Sequence, residues 1–219
     1  MGKLFSWLGL IRRARRRFRN GFTGRIVTSQ DRRRARRFAL WADEGVLRLF
    51  WTNFDQVAPG VFRANHGSPA RIRRYARMEL RTIVNLRGEQ NLPTSLLSQE
   101  AAEELGIRVI TLPMSARKPP RRDTILGLLD LFDRIERPFL LHCKSGADRS
   151  GLAAAIWLLH IEKRPMSEAR AQLSLRYLHF RCTTTGVLDG FLDLYEAQGA
   201  GMMFRDWVEN IYDPSQCRR

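Results

Sequence analysis

The chain has 219 residues, 44% of them hydrophobic and 10% aromatic, so its length fits one sizeable domain with an appendage and its composition excludes a disordered chain. The 16 glycines and 9 prolines are too few for a collagen-like or low-complexity protein. The net charge of +16 is concentrated, because residues 1–37 carry 13 Lys or Arg and one acidic residue, whereas the other 182 residues carry 25 and 21. The basicity therefore belongs to an arm and not to the whole domain.

The arm, residues 1–37, begins with an apolar stripe at helical spacing, Leu4, Trp7, Ile11 and Phe18, and most of its arginines lie elsewhere on the helix. This pattern predicts a basic amphipathic helix. Tryptophan and leucine beside arginine suit an anionic membrane surface, so we expect residues 3–19 to bind one. A solvated tail, or a helix docked on its own domain, is the alternative. Nucleic acid is disfavoured, because a purely electrostatic arm would not need the stripe.

The rest of the chain alternates between strand and helix patterns. A helix is predicted over Phe38–Trp51, in a lead-in of residues 38–60 that ends with a Pro59-Gly60 turn. The main domain, residues 61–200, has predicted strands at 61–63, 82–86, 108–112 and 139–142 and predicted helices at 70–78, 94–105, 123–137, 151–161, 167–177 and 186–197. A last short helix, 204–212, is predicted in the tail, residues 201–219. The alternation is typical of an α/β fold, here a single domain with a largely parallel central sheet flanked by helices.

The number and spacing of the cysteines and histidines limit which disulfides and metal sites the chain can form. Cys143, Cys182 and Cys217 are widely spaced and odd in number, which predicts no disulfide framework and favours a reducing, cytoplasmic location, with peripheral attachment to the inner face of the membrane through the arm. The four histidines form no zinc-ligand pattern, so we expect no metal and no cofactor. Cys182 is either a resolving thiol for Cys143 or an inert core residue.

The segment His142–Gly151, HCKSGADRSG, follows a predicted strand and opens a predicted helix. A loop in that position directs backbone N–H groups and the positive end of the helix dipole at one point, which makes an anion site. That field lowers the pKa of Cys143 and makes its thiolate a nucleophile. The planar fork of Arg149 suits two phosphoryl oxygens, Gly146 leaves the anion's space free of a Cβ, and Ser150 is placed to donate to the sulfur of Cys143.

The pattern H-C-x-x-x-x-x-R-S-G resembles the signature of the cysteine-based protein tyrosine and dual-specificity phosphatases, in particular their compact bacterial and dual-specificity-like members. The resemblance extends from about Val61 to Tyr195. It implies a metal-free reaction in two steps: Cys143 attacks phosphorus while a carboxylic acid protonates the leaving oxygen, and water then hydrolyses the cysteinyl-phosphate. It also implies that phosphate is held by the amides of Lys144, Ser145, Gly146, Ala147, Asp148 and Arg149.

The general acid departs from the common pattern of this family. The loop that usually carries an aspartate, here residues 113–122, contains no carboxylate. Asp123 comes next, although a helix cap explains it equally well. Asp148 resembles the acid assigned in myotubularin-type and some inositide phosphatases and is favoured, with a structural carboxylate as its alternative. A third possibility is a leaving group of low pKa that needs no strong acid.

His142 and Arg87 are predicted to support the loop around Cys143, and each has an alternative interpretation. His142 either hydrogen-bonds around Cys143 and tunes the thiolate or is a buried strand residue. Arg87 either supports the phosphate loop or forms a surface ion pair.

Phosphotyrosine, phosphoserine or phosphothreonine proteins are the expected substrates. A phosphoinositide or other phospholipid head group is the alternative, because Lys144 and the basic loop residues Arg117, Lys118, Arg121 and Arg122 favour polyanions. A non-catalytic phosphate-binding module is the second alternative, and the presence of the thiol disfavours it.

Overall fold

The computed structural model describes residues 25–43, 45–88 and 90–217, so the helix predicted for residues 3–19 lies outside the described residues. The strands are β1 (Asp55–Ala58), β2 (Val61–Ala64), β3 (Thr82–Asn85), β4 (Arg108–Thr111) and β5 (Phe139–His142). The α-helices are α1 (Ser29–Arg37), α2 (Leu47–Phe50), α3 (Pro69–Ala76), α4 (Pro93–Glu103), α5 (Arg122–Phe132), α6 (Arg149–His160), α7 (Met166–Ala171), α8 (Val187–Gln198) and α9 (Phe204–Asn210). Short 3-10 turns occur at Leu175–Tyr177, Thr184–Gly186 and Pro214–Gln216.

The five strands form one sheet in the order β1-β2-β5-β3-β4, in which β1 runs antiparallel to β2 and the other neighbours are parallel. The last residue of β5, His142, lies opposite Ala64 of β2 and Asn85 of β3. The chain that leaves β5 therefore starts from the middle of the carboxyl edge, where ligands bind in open α/β sheets. The prediction of a largely parallel sheet in an α/β fold is confirmed.

Strand β5 is buried on both faces, and its alternating side chains enter two separate cores. Phe139 and Leu141 pack in the core with α5, α6, α8 and α9. Leu140 packs in the smaller core, where α3 and α4 cover the other face of the sheet. The side chain after Leu141 by the same alternation, His142, therefore lies on the α3 and α4 side.

The lead-in differs from its prediction. Instead of one helix over Phe38–Trp51, α1 continues into a π-helical turn, Phe38–Ala42, before the chain turns and α2 begins. The N–H of Gly45 donates to the carbonyl of Ala39, and a Cβ on Gly45 would lie 2.1 Å from that oxygen. The glycine thus allows a close chain approach that ends the helix, which the apolar pattern alone did not show.

Strand β1 has no counterpart in the sequence prediction. It is a half-exposed edge strand with a register shift between Gln56 and Ala58, so it lacks the buried β-branched run that marked the other strands. The predicted Pro59-Gly60 turn is present and joins β1 to β2, with Gly60 at a φ of 72°. In the described ranges, no helix is long and apolar enough to cross a membrane.

Candidate active site

Cys143 is fully buried at the carboxyl end of β5, at the base of the loop that leads into α6. Its Sγ accepts a hydrogen bond from the N–H of Gly146 at 3.3 Å and lies 3.5 Å from Oγ of Ser150. Burial alone would raise the pKa of the thiol, but the charge of Arg149 and the hydrogen bonds from Ser150 and Gly146 lower it below its usual value. The contact expected between Ser150 and the sulfur of Cys143 is therefore present.

Arg149 is the first residue of α6 and is partly exposed. Within the described part of the chain its guanidinium has no ion-pair or hydrogen-bond partner. Its charge nevertheless acts on Cys143 and on His142, since it contributes to the lowered pKa of each. An arginine without an internal carboxylate partner keeps its donors available for two oxygens of a bound phosphate.

The carbonyls of the loop accept hydrogen bonds from residues in distant parts of the chain. The carbonyl of Lys144 accepts from the N–H of His66 at 3.3 Å, and that of Ser145 accepts from Nδ2 of Asn53 at 3.1 Å. The next two carbonyls, those of Gly146 and Ala147, accept from Arg63 at 2.7 and 3.1 Å. Because each peptide points its N–H away from its carbonyl, these bonds direct the loop amides to the side opposite their partners, and the N–H of Gly146 is seen to donate to the sulfur of Cys143.

Arg63, in β2, is the main support of the loop, and sequence reasoning gave it no role. It is completely buried, and besides the two loop carbonyls it donates to the carbonyl and the side-chain oxygen of Gln172 at 2.7 and 2.9 Å. Its guanidinium lies 3.7 Å from the centre of the Tyr177 ring. Burial lowers the pKa of Arg63 to about 10, so the group stays charged at neutral pH. A charged residue inside the otherwise apolar strand Val61–Ala64 was the signal that could have identified it.

Gly146 serves the loop differently from its prediction. Its φ of 75° lies in the left-handed region. A Cβ there would stand 2.6 Å from the backbone nitrogen of Asn65 and 2.8 Å from the carbonyl carbon of Ala64. The glycine therefore lets the loop lie directly on the end of β2. A Cβ at this position would clash with the backbone of Ala64 and Asn65 and not with a bound anion.

His142 is buried, and its Nδ1 lies 3.4 Å from the carbonyl oxygen of Cys143 rather than at the sulfur. Its ring meets the ring of His66 edge to face at 5.0 Å. Burial and the charges of Arg87 and Arg149 lower the pKa of His142 to about 4, so the imidazole is neutral at physiological pH. His142 is therefore a buried strand residue, as one interpretation predicted, and it contacts the backbone of Cys143; that it tunes the thiolate stays a prediction.

Arg87 is not a surface residue. It is buried and binds the carboxylate of Asp43 through two nitrogens, at 2.8 and 2.6 Å, and Arg48 approaches the same carboxylate at 2.9 Å. Burial would raise the pKa of Asp43, but the two guanidinium groups outweigh it and hold that pKa well below its usual value. The surface ion pair expected for Arg87 is therefore wrong: its carboxylate partner is buried and fastens the lead-in behind the end of β3.

Asp148, one of the two acid candidates, is the partly exposed end of a polar chain that continues to the buried His179 and Asp189. Its Oδ1 lies 2.8 Å from Nδ1 of His179, and Nε2 of His179 lies 2.7 Å from Oδ2 of Asp189. Burial opposes protonation of His179, but the two carboxylates outweigh it and raise the pKa of His179 to about 9. The ring is thus an imidazolium that donates from both nitrogens, and it fixes the Asp148 carboxylate beside Arg149. No sequence pattern marked His179 or Asp189.

Asp123, the other candidate, lies on the surface. The N-cap residue of α5 is Arg121 and makes no side-chain cap, so the expected cap by Asp123 is wrong. The Asp123 carboxylate instead accepts from Arg121 at 2.9 Å and is 78% exposed. Arg122 does not join the basic residues of this loop, because it donates to the carbonyls of Tyr212 and Glu209.

The remaining cysteine expectation is partly corrected. Cys182 is exposed, so it is not the core residue that one interpretation predicted. In the ranges that the structure describes, no group of three or more His, Cys, Asp or Glu side chains is arranged to hold a metal ion.

Comparison with known proteins gives one family and several solved structures of similar fold. The family described as "DSP-PTPase phosphatase fused to NAD+ Kinase" matches residues 73–187, just over half of the chain. The match includes residues 143–149, which lead from β5 into α6 and are called the catalytic loop below. No curated protein matches the sequence.

Solved structures share the fold at low sequence identity. TpbA of P. aeruginosa is 17% identical with a TM-score of 0.55, and the match covers 73% of this chain and 92% of TpbA. Tk-PTP, in a mutant form, is 21% identical with a TM-score of 0.54, covering 67% and 96%. The catalytic core of the PP-IP phosphatase SIW14 of S. cerevisiae is 17% identical with a TM-score of 0.54, covering 72% and 92%.

Proposed function

This chain belongs to the DSP-PTPase family of phosphatases, and from that premise we propose that it hydrolyses phosphomonoesters without a metal ion, through a cysteinyl-phosphate on Cys143. One observation carries the proposal. The buried sulfur of Cys143 is held by the N–H of Gly146 and lies beside the hydroxyl of Ser150, while Arg149 has no carboxylate partner in the described residues. A thiolate and an available guanidinium then face the same phosphoryl group.

In the first step the thiolate of Cys143 attacks phosphorus, so that a sulfur–phosphorus bond forms as the bond to the ester oxygen breaks. The charge on the three equatorial oxygens is stabilised by Arg149 and by the loop amides of residues 144–149. The carbonyls of residues 144–147 are already bonded to Arg63, Asn53 and His66 before substrate binds, so little reorganisation of these peptide groups is needed during the reaction.

In the second step water attacks phosphorus and displaces the sulfur, which regenerates the thiolate and releases inorganic phosphate. Ser150 supports this step because its Oγ, 3.5 Å from Sγ, can donate to the sulfur as it acquires negative charge. The net reaction consumes one phosphomonoester and one water and yields one alcohol and one phosphate.

Asp148 is the proposed proton donor to the leaving oxygen. It lies within the loop next to Arg149, its side chain is 20% exposed, and among the described residues only one of its oxygens is hydrogen-bonded. Asp123 is a weaker candidate because its carboxylate is turned to solvent and paired with Arg121. In the second step the same carboxylate of Asp148 can accept a proton from the attacking water.

Phosphorylated protein side chains are the proposed substrates, since the family includes dual-specificity and tyrosine phosphatases. A phosphoinositide or other phospholipid head group is the second candidate. It is favoured by the exposed basic residues Arg117, Lys118 and Arg121, which follow β4 at the same sheet edge as the catalytic loop and would attract a polyanion.

Turnover of p-nitrophenyl phosphate in EDTA tests the proposal. The wild-type chain is expected to release phosphate, Cys143→Ser to release none, and Cys182→Ser to match the wild type, because that exposed thiol lies outside the loop. Acid quenching with a labelled aryl phosphate should trap the phosphoryl group on protein in the wild type only. Equal turnover by Cys143→Ser would refute the mechanism, and binding without turnover by the wild type would favour a phosphate-binding module.

A further inference from the structure

The N-terminal part of the described chain exposes large apolar side chains on a folded segment. Trp41 is 76% exposed, Leu47 is 63% exposed and Phe50 is 89% exposed. The same segment is anchored from its other side, where Ala35 and Phe38 are buried. Its outward apolar side chains are therefore in excess of what packing needs, which marks a surface that meets a partner.

Arginines share this surface. The helical stretch from Ser29 to Ala42 places Arg33, Arg34 and Arg37 at spacings of three, four or seven residues from Leu40 and Trp41, so these side chains lie on neighbouring positions of one helix face. Arg33, Arg34, Arg36 and Arg37 are exposed, and none has an ion-pair partner among the described residues. The N–H of Val46 donates to the carbonyl of Leu40 at 3.1 Å, so α2, with its exposed Leu47 and Phe50, begins beside this helix. We call Arg33, Arg34, Arg37, Leu40, Trp41, Leu47 and Phe50 the basic apolar face.

The segment that carries this face is fixed to the catalytic body. Near its start Arg32 donates to Glu100 of α4 at 2.7 and 2.5 Å, and in its middle Asp43 is held by Arg87. Just after its end, Nε1 of Trp51 donates to Asn53, which in turn donates to the carbonyl of Ser145 in the catalytic loop. A partner that binds the face would therefore set the orientation of the active site as well.

We infer that the basic apolar face docks the protein on an anionic lipid bilayer. Arginine side chains bind lipid phosphates, and a partner reached only through charge would gain nothing from an exposed tryptophan, phenylalanine and leucine, whereas the membrane interface accepts such side chains. The charge is complementary, since residues 1–37, which include these arginines, carry +12 of the net charge of +16. None of its residues belongs to the predicted membrane helix of residues 3–19, and the inference needs no assumption about the substrate.

Co-sedimentation of the full chain with phosphatidylcholine vesicles, with and without phosphatidylserine, tests the inference. The wild type is expected to bind the anionic vesicles and to be released by salt. Trp41→Ser combined with Phe50→Ser should weaken binding about tenfold through lost apolar burial. Arg33→Gln, Arg34→Gln and Arg37→Gln together should weaken it by roughly fivefold per arginine.

Met203→Ser is the matched control. Met203 is 59% exposed at the start of α9, and α9 packs on the opposite side of the sheet from α1 and α4. This variant should bind vesicles like the wild type. Every variant should hydrolyse p-nitrophenyl phosphate at the wild-type rate, which separates a failure of docking from a failure of catalysis and shows that each variant is folded.

Two outcomes would overturn the inference. In the first, Trp41→Ser with Phe50→Ser binds vesicles as well as the wild type, while a Leu4→Ser, Trp7→Ser and Ile11→Ser variant loses binding; the lipid contact then belongs to residues 3–19 alone. In the second, the wild type binds neither kind of vesicle, and the exposed face then serves another part of the chain or another protein.

Discussion

Two loops at the same edge of the sheet are built in opposite ways. The catalytic loop after β5 has its carbonyls at residues 144–147 bonded to Arg63, Asn53 and His66 from other parts of the chain. The loop of residues 113–122 after β4 is tied mainly at its ends: Met114 donates to the carbonyl of Leu86, and the carbonyl of Pro120 accepts from Tyr212.

The proposed function accounts for the difference. A loop that must direct several amides at one anion is held from behind by distant residues, and its acidic residue Asp148 is held by His179. A loop whose middle is fastened only locally, such as by Ser115, leaves its neighbouring carboxylate, Asp123, in solvent. Substitutions that remove the supports of the catalytic loop should therefore affect catalysis, and those at the ends of the other loop should affect stability.

The largest effect is expected from Arg63→Met. Losing the donors to Gly146 and Ala147 would let the loop amides turn away from the phosphate, and removing oriented oxyanion donors costs on the order of 1000-fold in kcat. The pH profile for alkylation of Cys143 by iodoacetate should also shift to higher pH, because a positive charge near the thiolate is lost.

Arg137→Met is the control for that variant. Arg137 also donates to a backbone carbonyl, that of Pro59, and lies over an aromatic ring, that of Trp157, but it does not contact the loop. It should lower stability and leave both kcat and the alkylation profile unchanged. An unaltered alkylation profile and kcat in Arg63→Met would show that the loop is ordered without it.

The next largest effect distinguishes the two candidates for the general acid, Asp148 and Asp123. Asp148→Asn should lower the rate of hydrolysis of an alkyl phosphate roughly 100-fold and that of an aryl phosphate much less, because a general acid matters more for a poor leaving group. Asp123→Asn should hydrolyse both substrates at rates within about twofold of the wild type. The exposed ion pair between Asp123 and Arg121 contributes little to stability, so its loss should not disturb the fold. The reverse ranking would make Asp123 the acid, and no effect of either variant on the alkyl ester would mean that neither serves.

A smaller effect concerns the pH dependence of stability. The pKa of His179 is raised from 6.5 to about 9, so its contribution is complete below about pH 6.5 and is lost as the pH rises through about 9. Urea unfolding at pH 6 and at pH 9.5 should show that His179→Gln loses on the order of 2 kcal/mol relative to wild type at the lower pH and much less at the higher. An equal difference at both values would mean that the ring is neutral in the folded protein.

The smallest effect is expected from Tyr212→Phe. The hydroxyl of Tyr212 donates to the carbonyl of Pro120 at 2.6 Å in a buried site, and one such bond is worth about 1 kcal/mol. The free energy of unfolding should fall by about that amount, while kcat for p-nitrophenyl phosphate stays at the wild-type value. A large loss of kcat would show that the loop of residues 113–122 takes part in the chemistry.

The sequence by itself predicted the strand, loop and helix around Cys143 and determined the class of fold. The groups expected to meet the phosphate, from Cys143 to Ser150, are consecutive in the chain, so their arrangement depends on one local turn from strand to helix. The alternation of apolar strands and amphipathic helices is likewise a local pattern, and it identified β2 to β5 and the helices around them.

Only the tertiary structure decided what surrounds that loop. Arg63 lies 83 residues from Gly146, and His179 lies 31 residues from Asp148; contacts of this kind depend on strand order and helix packing, which local periodicity does not encode. The same holds for Arg87, whose partner Asp43 comes from the lead-in, and for Asp123, which the path of its loop leaves in solvent. A charged side chain has low free energy on the surface or in a buried network, and only the folded chain shows which applies.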